Sequence, residues 1–292
     1  MGTGTTMSLS DLMIAVRQRA DMFPIGYNPA LINNNLFVTD QELISYINQS
    51  YFELYDLLVT KFEKYNMAQP VMFTTDGQND QFPLPDGSQP SPGPNGSSVT
   101  WKNPLTGAVL STPPKAFYKL NGCDLGLANG NNAWLTIKPF EFIDRNKYIW
   151  PQITSTYLGV FNLRFDIVGD NLMFIPLPAG NQQVRLWFTP RMTQLAALVD
   201  VVDGISGWTE YIIEDAAAKC LRKEESWEAM QACYAVLGKV PGVAPMSTSI
   251  IGRINSASSN RNAGSPKKIS DTRTRGNNGY GGPGFNGSFG GY

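Results

Sequence analysis

The chain of 292 residues contains no histidine. That absence removes Ser-His-Asp and Cys-His nucleophilic catalysis, histidine-ligated zinc and the usual general base near neutral pH. Cysteine is scarce too, with only Cys123, Cys220 and Cys233. Cys220 and Cys233 fall on what reads as one helix, where a separation of thirteen residues puts them about 20 Å apart, beyond the reach of a disulfide. All three thiols read as reduced, as in a protein made in a cytoplasm. Charged residues make up 16%, against about a quarter in an average domain. A surface so poor in charge and rich in Asn, Gln, Gly and Pro suits an exterior that meets other subunits. No apolar run approaches the roughly eighteen residues of a membrane span, and no basic segment followed by an apolar one opens the chain, so neither a span nor a signal peptide is expected.

What remains describes a folded body. Hydrophobic residues are 42% and aromatic residues 11%, enough for a sizeable core at this length. Ser8-Leu9-Ser10-Asp11 is a capping pattern, followed by Leu9, Leu12, Val16 and Ala20 at helical spacing. Thr39-Asp40-Gln41-Glu42 is a second capping box, and Leu43, Ile47, Tyr51, Leu54 and Leu58 form the stripe behind it. From 70 to 195 the pattern changes to strands and turns. Residues 76–114, rich in Gly, Pro, Ser and Asn, read as a long surface loop. Strand signals fall at 116–120 and 133–138, and a short helix or turn is expected over 139–148. Three alternating runs around Phe165, Phe174 and Leu186, separated by turn residues, read as a β-meander. A helix then carries an apolar face from about Trp208 through Ile212, Ala216 and Cys220 and onward through Trp227, Met230, Tyr234 and Leu237. Ser206 is its candidate cap, Pro241-Gly242 its end, and a shorter helical piece follows near 250–256.

Candidate chemistry is thin. Asp200 and Asp203 flank Gly204 without the spaced acids of a calcium loop. Glycines at 122–130 lack the lysine of a phosphate loop. Arg222, Lys223, Glu224 and Glu225 read as a charged helix face, and Cys220 as a small core hydrophobe. No catalytic residue, metal ligand or cofactor is expected, and an enzyme is the class least expected.

The last forty residues differ from the rest. Residues 253–292 hold six basic side chains and one acid, a net +5, which leaves −6 on residues 1–252 against a total of −1. Residues 276–292 hold eight glycines, four aromatics and no charge. Three readings stand side by side: a solubilising terminus, a nucleic-acid-binding segment whose aromatics stack on bases, and a docking arm that orders on a partner. For the third, the contact residues would be Arg261, Lys267, Lys268, Arg273 and Arg275, with Tyr280, Phe285, Phe289 and Tyr292 as aromatic anchors.

Three stretches, FVTDQELISYINQSYFELYDLLV at 37–59, WTEYIIEDAAAKCLRKEES at 208–226 and NRNAGSPKKISDTR at 260–273, together with the segment 163–195, resemble the head-to-tail adaptor (connector) proteins of short-tailed bacteriophages and prophages. The stretch 76–114 and the Gly-aromatic ending at 276–292 depart from that pattern. The resemblance implies an α+β fold: a helical bundle of N-terminal helices (1–69) and C-terminal helices (196–252), an inserted antiparallel β-domain (70–195) and an extended arm (253–292). It also implies a virion protein of the neck between capsid and tail, assembled as a ring, typically dodecameric, beneath the portal. The portal protein would be its partner on one face and a tail nozzle or other tail protein on the other. Capsid protein is a further candidate partner, packaged DNA would be met only non-specifically, and no membrane is involved.

Overall fold

The computed structural model of the chain describes residues 7–22, 37–62, 65–94, 97–126, 133–144, 163–202 and 208–262. Among the described residues five helices flank a seven-stranded sheet. Helix α1 (Leu9–Arg19) starts at the expected cap, with Ser8 and Asp11 each bonding the other's backbone. Helix α2 (Asp40–Lys61) starts the same way from Thr39 and Glu42. Its stripe of Leu43, Ile47, Tyr51, Leu54 and Leu58 is buried. The C-terminal helical face is not one helix but two, α3 (Thr209–Lys223) and α4 (Trp227–Leu237). Glu225 takes a left-handed conformation at φ 60 and ends the first of them, and the Ser226 N–H reaches back to the Leu221 carbonyl. Helix α5 (Ile250–Asn262) continues past the end predicted for it and buries Ile250 and Ile254 in the helical core. The start expected for the arm, residue 253, therefore falls inside a packed helix.

The middle of the chain corrects the expected fold class. It is no minor antiparallel insert in a helical bundle but a large, curled, mixed sheet that forms half a barrel. Its strands are β1 (Val71–Thr74), β2 (Gln81–Pro83), β5 (Phe117–Gly126), β6 (Trp134–Pro139), β7 (Arg164–Val168), β8 (Asn171–Ile175) and β9 (Gln183–Pro190), in the order β1-β9-β5-β6-β7-β8-β2. A separate two-stranded ribbon pairs β3 (Ser91–Pro92) with β4 (Ser98–Val99). Strands β6 and β7 run parallel, with Lys138 opposite Arg164. The expected meander is only half present. Strands β7 and β8 form a hairpin, whereas β9 leaves β8 and pairs with β1 and β5 instead.

The curl follows from connectivity. Strands β1 and β2 lie at opposite edges of the sheet, yet only residues 75–80 join them. Six inter-strand steps laid flat span about 29 Å at about 4.8 Å each. Seven extended Cα steps reach about 25 Å at best. A flat sheet is out of reach of that linker, so the two edges bend toward each other. The linker crosses the β8–β9 connection so closely that a Cβ on Gly77 would lie 2.7 Å from the Gly180 nitrogen.

The stretch predicted as a surface loop, 76–114, is largely packed. Phe82, Leu84, Val99 and Trp101 sit in the sheet core with Phe73, Phe174 and Phe188. Trp101 is fully buried and donates its indole N–H to Ser91 Oγ at 2.8 Å. The longest continuously exposed runs within it are 105–109 and 111–113.

The helical and sheet cores meet along α2 and β9. Tyr55 donates its hydroxyl to the Pro190 carbonyl, and Tyr118 donates to Asp56. The Asn48 side chain both donates to the Leu195 carbonyl and accepts the Leu195 N–H, each at 2.8 Å.

Candidate functional site

Of the residues singled out for the arm, Arg261 lies in the last turn of α5 with its side chain outside the described residues. Lys267, Lys268, Arg273, Arg275, Tyr280, Phe285, Phe289 and Tyr292 lie wholly outside them, as do Asp203, Gly204, Ser206 and residues 145–148 of the predicted turn, of which 142–144 form one 3-10 turn. Helix α3 begins after Trp208 without a side-chain cap.

The remaining candidates are structural. Asp200 accepts the N–H groups of Ala196 and Ala197 at 2.7 Å each, bonds that hold its carboxyl below the usual range and close a turn. Gly122 and Gly126 are strand residues of β5. Burial pushes the Cys220 thiol up to about 12 and the Cys233 thiol up to about 11, and Cys123 rises well above its ordinary value. None of the three is a ready thiolate. Among the described residues no group of three or more metal-ligating side chains is assembled.

Two clusters that the sequence did not announce are the most organised polar sites. One lies between α2, α3 and Lys239. Asp215 accepts from Lys219 at 2.8 Å, Lys239 at 2.7 Å and the Ser50 hydroxyl at 2.7 Å. Glu53 receives the same two ammoniums at 3.1 and 2.7 Å. Burial alone would raise the Asp215 carboxyl, but the two lysines and Ser50 outweigh it and leave it below the ordinary range. Burial would lower Lys239, and its bonds to Asp215 and Glu53 reverse that and raise it. Buried Tyr211, over which Lys239 sits at 4.9 Å, is pushed up to about 12. Only the i,i+4 spacing of Asp215 and Lys219 hinted at this in the sequence.

The other cluster is on the sheet face opposite its core. Asp124 on β5 accepts from Arg185 at 2.8 and 3.0 Å, from the Trp187 indole at 2.7 Å and from the Thr136 hydroxyl at 2.8 Å. The Arg185 guanidinium lies 4.3 Å from the Trp134 ring and 5.1 Å from Trp187. A shallow recess of about 570 Å³ opens beside it. Both oxygens of Asp124 are already engaged, so the cluster fastens three strands together and has no acid or base left for chemistry.

A second open groove, of about 640 Å³, runs between α2 and residues 191–194, lined by amide and hydroxyl side chains together with Ile44, Phe52, Glu53, Arg191 and Met192. Neither recess brings a nucleophile, a base and an oxyanion donor together.

No protein-family model and no curated protein matches this chain. The functional reading therefore rests on its own residues and on the resemblance they carry.

Proposed function

We propose that the chain is a structural, non-catalytic subunit of a tailed-phage neck: an adaptor that joins a ring beneath the portal and docks there through its C-terminal arm. The observation that carries this reading is the change in composition at the end of α5. The last described element, α5, is tied into the helical core by Ile250 and Ile254. Residues 263–292 then hold four basic side chains against one acid, followed by the uncharged Gly-aromatic run. Lys267, Lys268, Arg273 and Arg275 would meet acidic groups of the portal, and the four aromatics would fill crevices that glycine lets the backbone follow. The ionic groups of the body support the same reading, because Asp215, Lys219, Lys239 and Asp124 are committed to holding elements together. Several weak arms engaging one ring at once would bind far more tightly than one arm alone.

The test is a chain ending at Asn262, which keeps α5 intact. Its circular dichroism and melting should match those of the full chain, while co-sedimentation with portal rings from the same phage should be lost. Unchanged portal capture by the shortened chain would sink the arm assignment. Retardation of single-stranded oligonucleotides by the full chain only, falling steeply with salt, would move the arm to nucleic acid.

A further inference from the structure

On the outer face of the sheet, opposite its aromatic core, cations gather without carboxylates to hold them. Lys102 stands opposite Met72, Lys119 opposite Thr189, and Lys138 two residues on from Thr136. Alternation along the strands puts all three on the side of Asp124 and Arg185. Lys102 donates to the Thr74 hydroxyl at 3.2 Å and Lys119 to the Val59 carbonyl at 3.4 Å. Among the described residues Lys138 has no partner, and none of the three lysines meets a carboxylate. In the helical half Arg17, Arg19, Lys219, Lys223, Lys239 and Arg253 each have one. Asp124 is the acid at the centre of the face, and Arg185, Trp187 and Thr136 already take its oxygens. Arg185 gives it Nε and Nη2, while Nη1 has no partner among the described residues. Farther along, Arg164 and Asp166 on β7 add one charge of each sign.

Two indoles lie among these cations. Trp134 and Trp187 are each partly exposed, whereas Trp101 on the core side is fully buried. Each of the two stands opposite a glycine of β5, Gly126 for Trp134 and Gly122 for Trp187. A Cβ on Gly122 would lie 3.6 Å from Trp187 Cδ1, so the ring leans over a strand that sends up no side chain to cover it. The Arg185 guanidinium, 4.3 and 5.1 Å from the two ring centres, sits with both, and Asp124 fixes it and the Trp187 indole together. The recess of about 570 Å³ opens at Trp187, between Lys119, Asn121 and Thr136. From Lys102 across Met72, Arg185 and Asp124 to Thr136 the face runs through successive strand partners, about 19 Å at about 4.8 Å a step.

The chemistry of the face selects its occupant. Lysines without carboxylates call for an anion, and their spread calls for one that carries several charges. The indoles decide which polyanion fits. Duplex DNA offers phosphates but keeps its base faces stacked on one another, so both rings would go unused. An acidic peptide offers charge and no planar face. A single-stranded polynucleotide brings both: phosphates for the lysines and Nη1 of Arg185, and bases for the indoles and the guanidinium plane.

We infer that the outer face of the sheet, centred on Trp134, Arg185 and Trp187 and rimmed by Lys102, Lys119 and Lys138, binds single-stranded nucleic acid. This site needs neither the arm nor a portal. A dye-labelled oligothymidylate titrated with the full chain at low salt should bind at least tenfold more tightly than a duplex of equal length, with log K falling linearly in log salt. Lys138→Gln should weaken binding and flatten that slope by about 0.7. Trp134→Leu should weaken binding at least fivefold and leave the slope as it was. Arg222→Gln, which removes an exposed charge from α3, should change neither. All three should melt with the unaltered chain. No binding at low salt, a duplex held as tightly as the single strand, or Arg222→Gln acting as strongly as Lys138→Gln overturns the inference. Polyglutamate displacing the oligonucleotide as well as unlabelled oligothymidylate does so too, since charge alone would then be read. Loss of binding in the chain ending at Asn262 would give the oligonucleotide to the arm and also overturn it. Portal capture is measured separately in Lys138→Gln and Trp134→Leu, so the portal reading and this one fail independently.

Discussion

Where α1, α2 and α3 meet, the interior holds ions; behind the sheet, it holds rings. In the helical half Arg17 lies buried against Asp40 at 2.7 Å, with exposures of 2% and 0%, and Asp215 gathers two lysines and a serine. In the sheet half Phe73 meets Trp101 and Phe82 meets Phe174 edge to face at 5.7 and 5.9 Å, Phe73 and Phe82 lie tilted at 5.2 Å, and the ion pair of Asp124 with Arg185 is kept on the opposite face. The difference follows from backbone geometry. A strand alternates its side chains, so polar residues go to one face and apolar ones to the other. A helix packed on several neighbours turns part of its polar arc inward, and each ion there needs a partner.

The largest effect expected from this contrast is at Asp40. Removing its carboxylate by Asp40→Ala leaves the Arg17 charge buried, and breaking one side of such a pair costs about 3–5 kcal/mol. Equilibrium urea unfolding should show it as a lower midpoint. A loss below about 1 kcal/mol would mean that the pair carries little and that the two halves differ less than their contents suggest.

Trp101→Phe probes the other half and should cost less, about 1–3 kcal/mol. The ring is replaced by a smaller one, and Ser91 Oγ loses the indole donor but keeps its bond to Asp86 at 2.6 Å. Unfolding followed by near-ultraviolet circular dichroism reads this out. A cost equal to that of Asp40→Ala would erase the distinction between ionic and aromatic cores.

The two halves were also unequally legible in the sequence. Thr39 and Glu42 stand three residues apart and the stripe behind them repeats locally, so α2 could be read directly. Strands β1 and β2 are four and three residues long, too short for a period to show, and Phe82 and Trp101 are embedded among Gly and Pro. The cross-strand partners, Leu172 for Phe82 and Lys102 for Met72, are set by tertiary pairing, which no local pattern encodes. The same limit hid Asp124, whose bonds to Arg185 and Trp187 span 61 and 63 residues. For α4 the period was visible but not its surroundings: Leu237 is buried as the stripe implies, whereas Trp227 at the other end of it faces outward.

Acid gives the finest test of the comparison. The Asp215 carboxyl is held below the ordinary aspartate range in the folded chain, with its burial outweighed by Lys219, Lys239 and Ser50. A depressed carboxyl contributes stability that is fully present above its unfolded value, about 3.9, and is lost as pH falls through the folded one. Lys239 is raised, so its share is lost only as pH rises through its folded value, far on the alkaline side. In Asp215→Asn the carboxylate is gone while Glu53 still holds both lysines. The gap in stability between the unaltered chain and Asp215→Asn should therefore be constant at neutral pH and start to close below about pH 4. A gap of the same size in acid as at neutrality would show that Asp215 acts by filling space and not by charge. The ionic character of the helical half would then rest on its other pairs, among them Arg17 with Asp40 and Arg19 with Glu214 at 2.7 Å each.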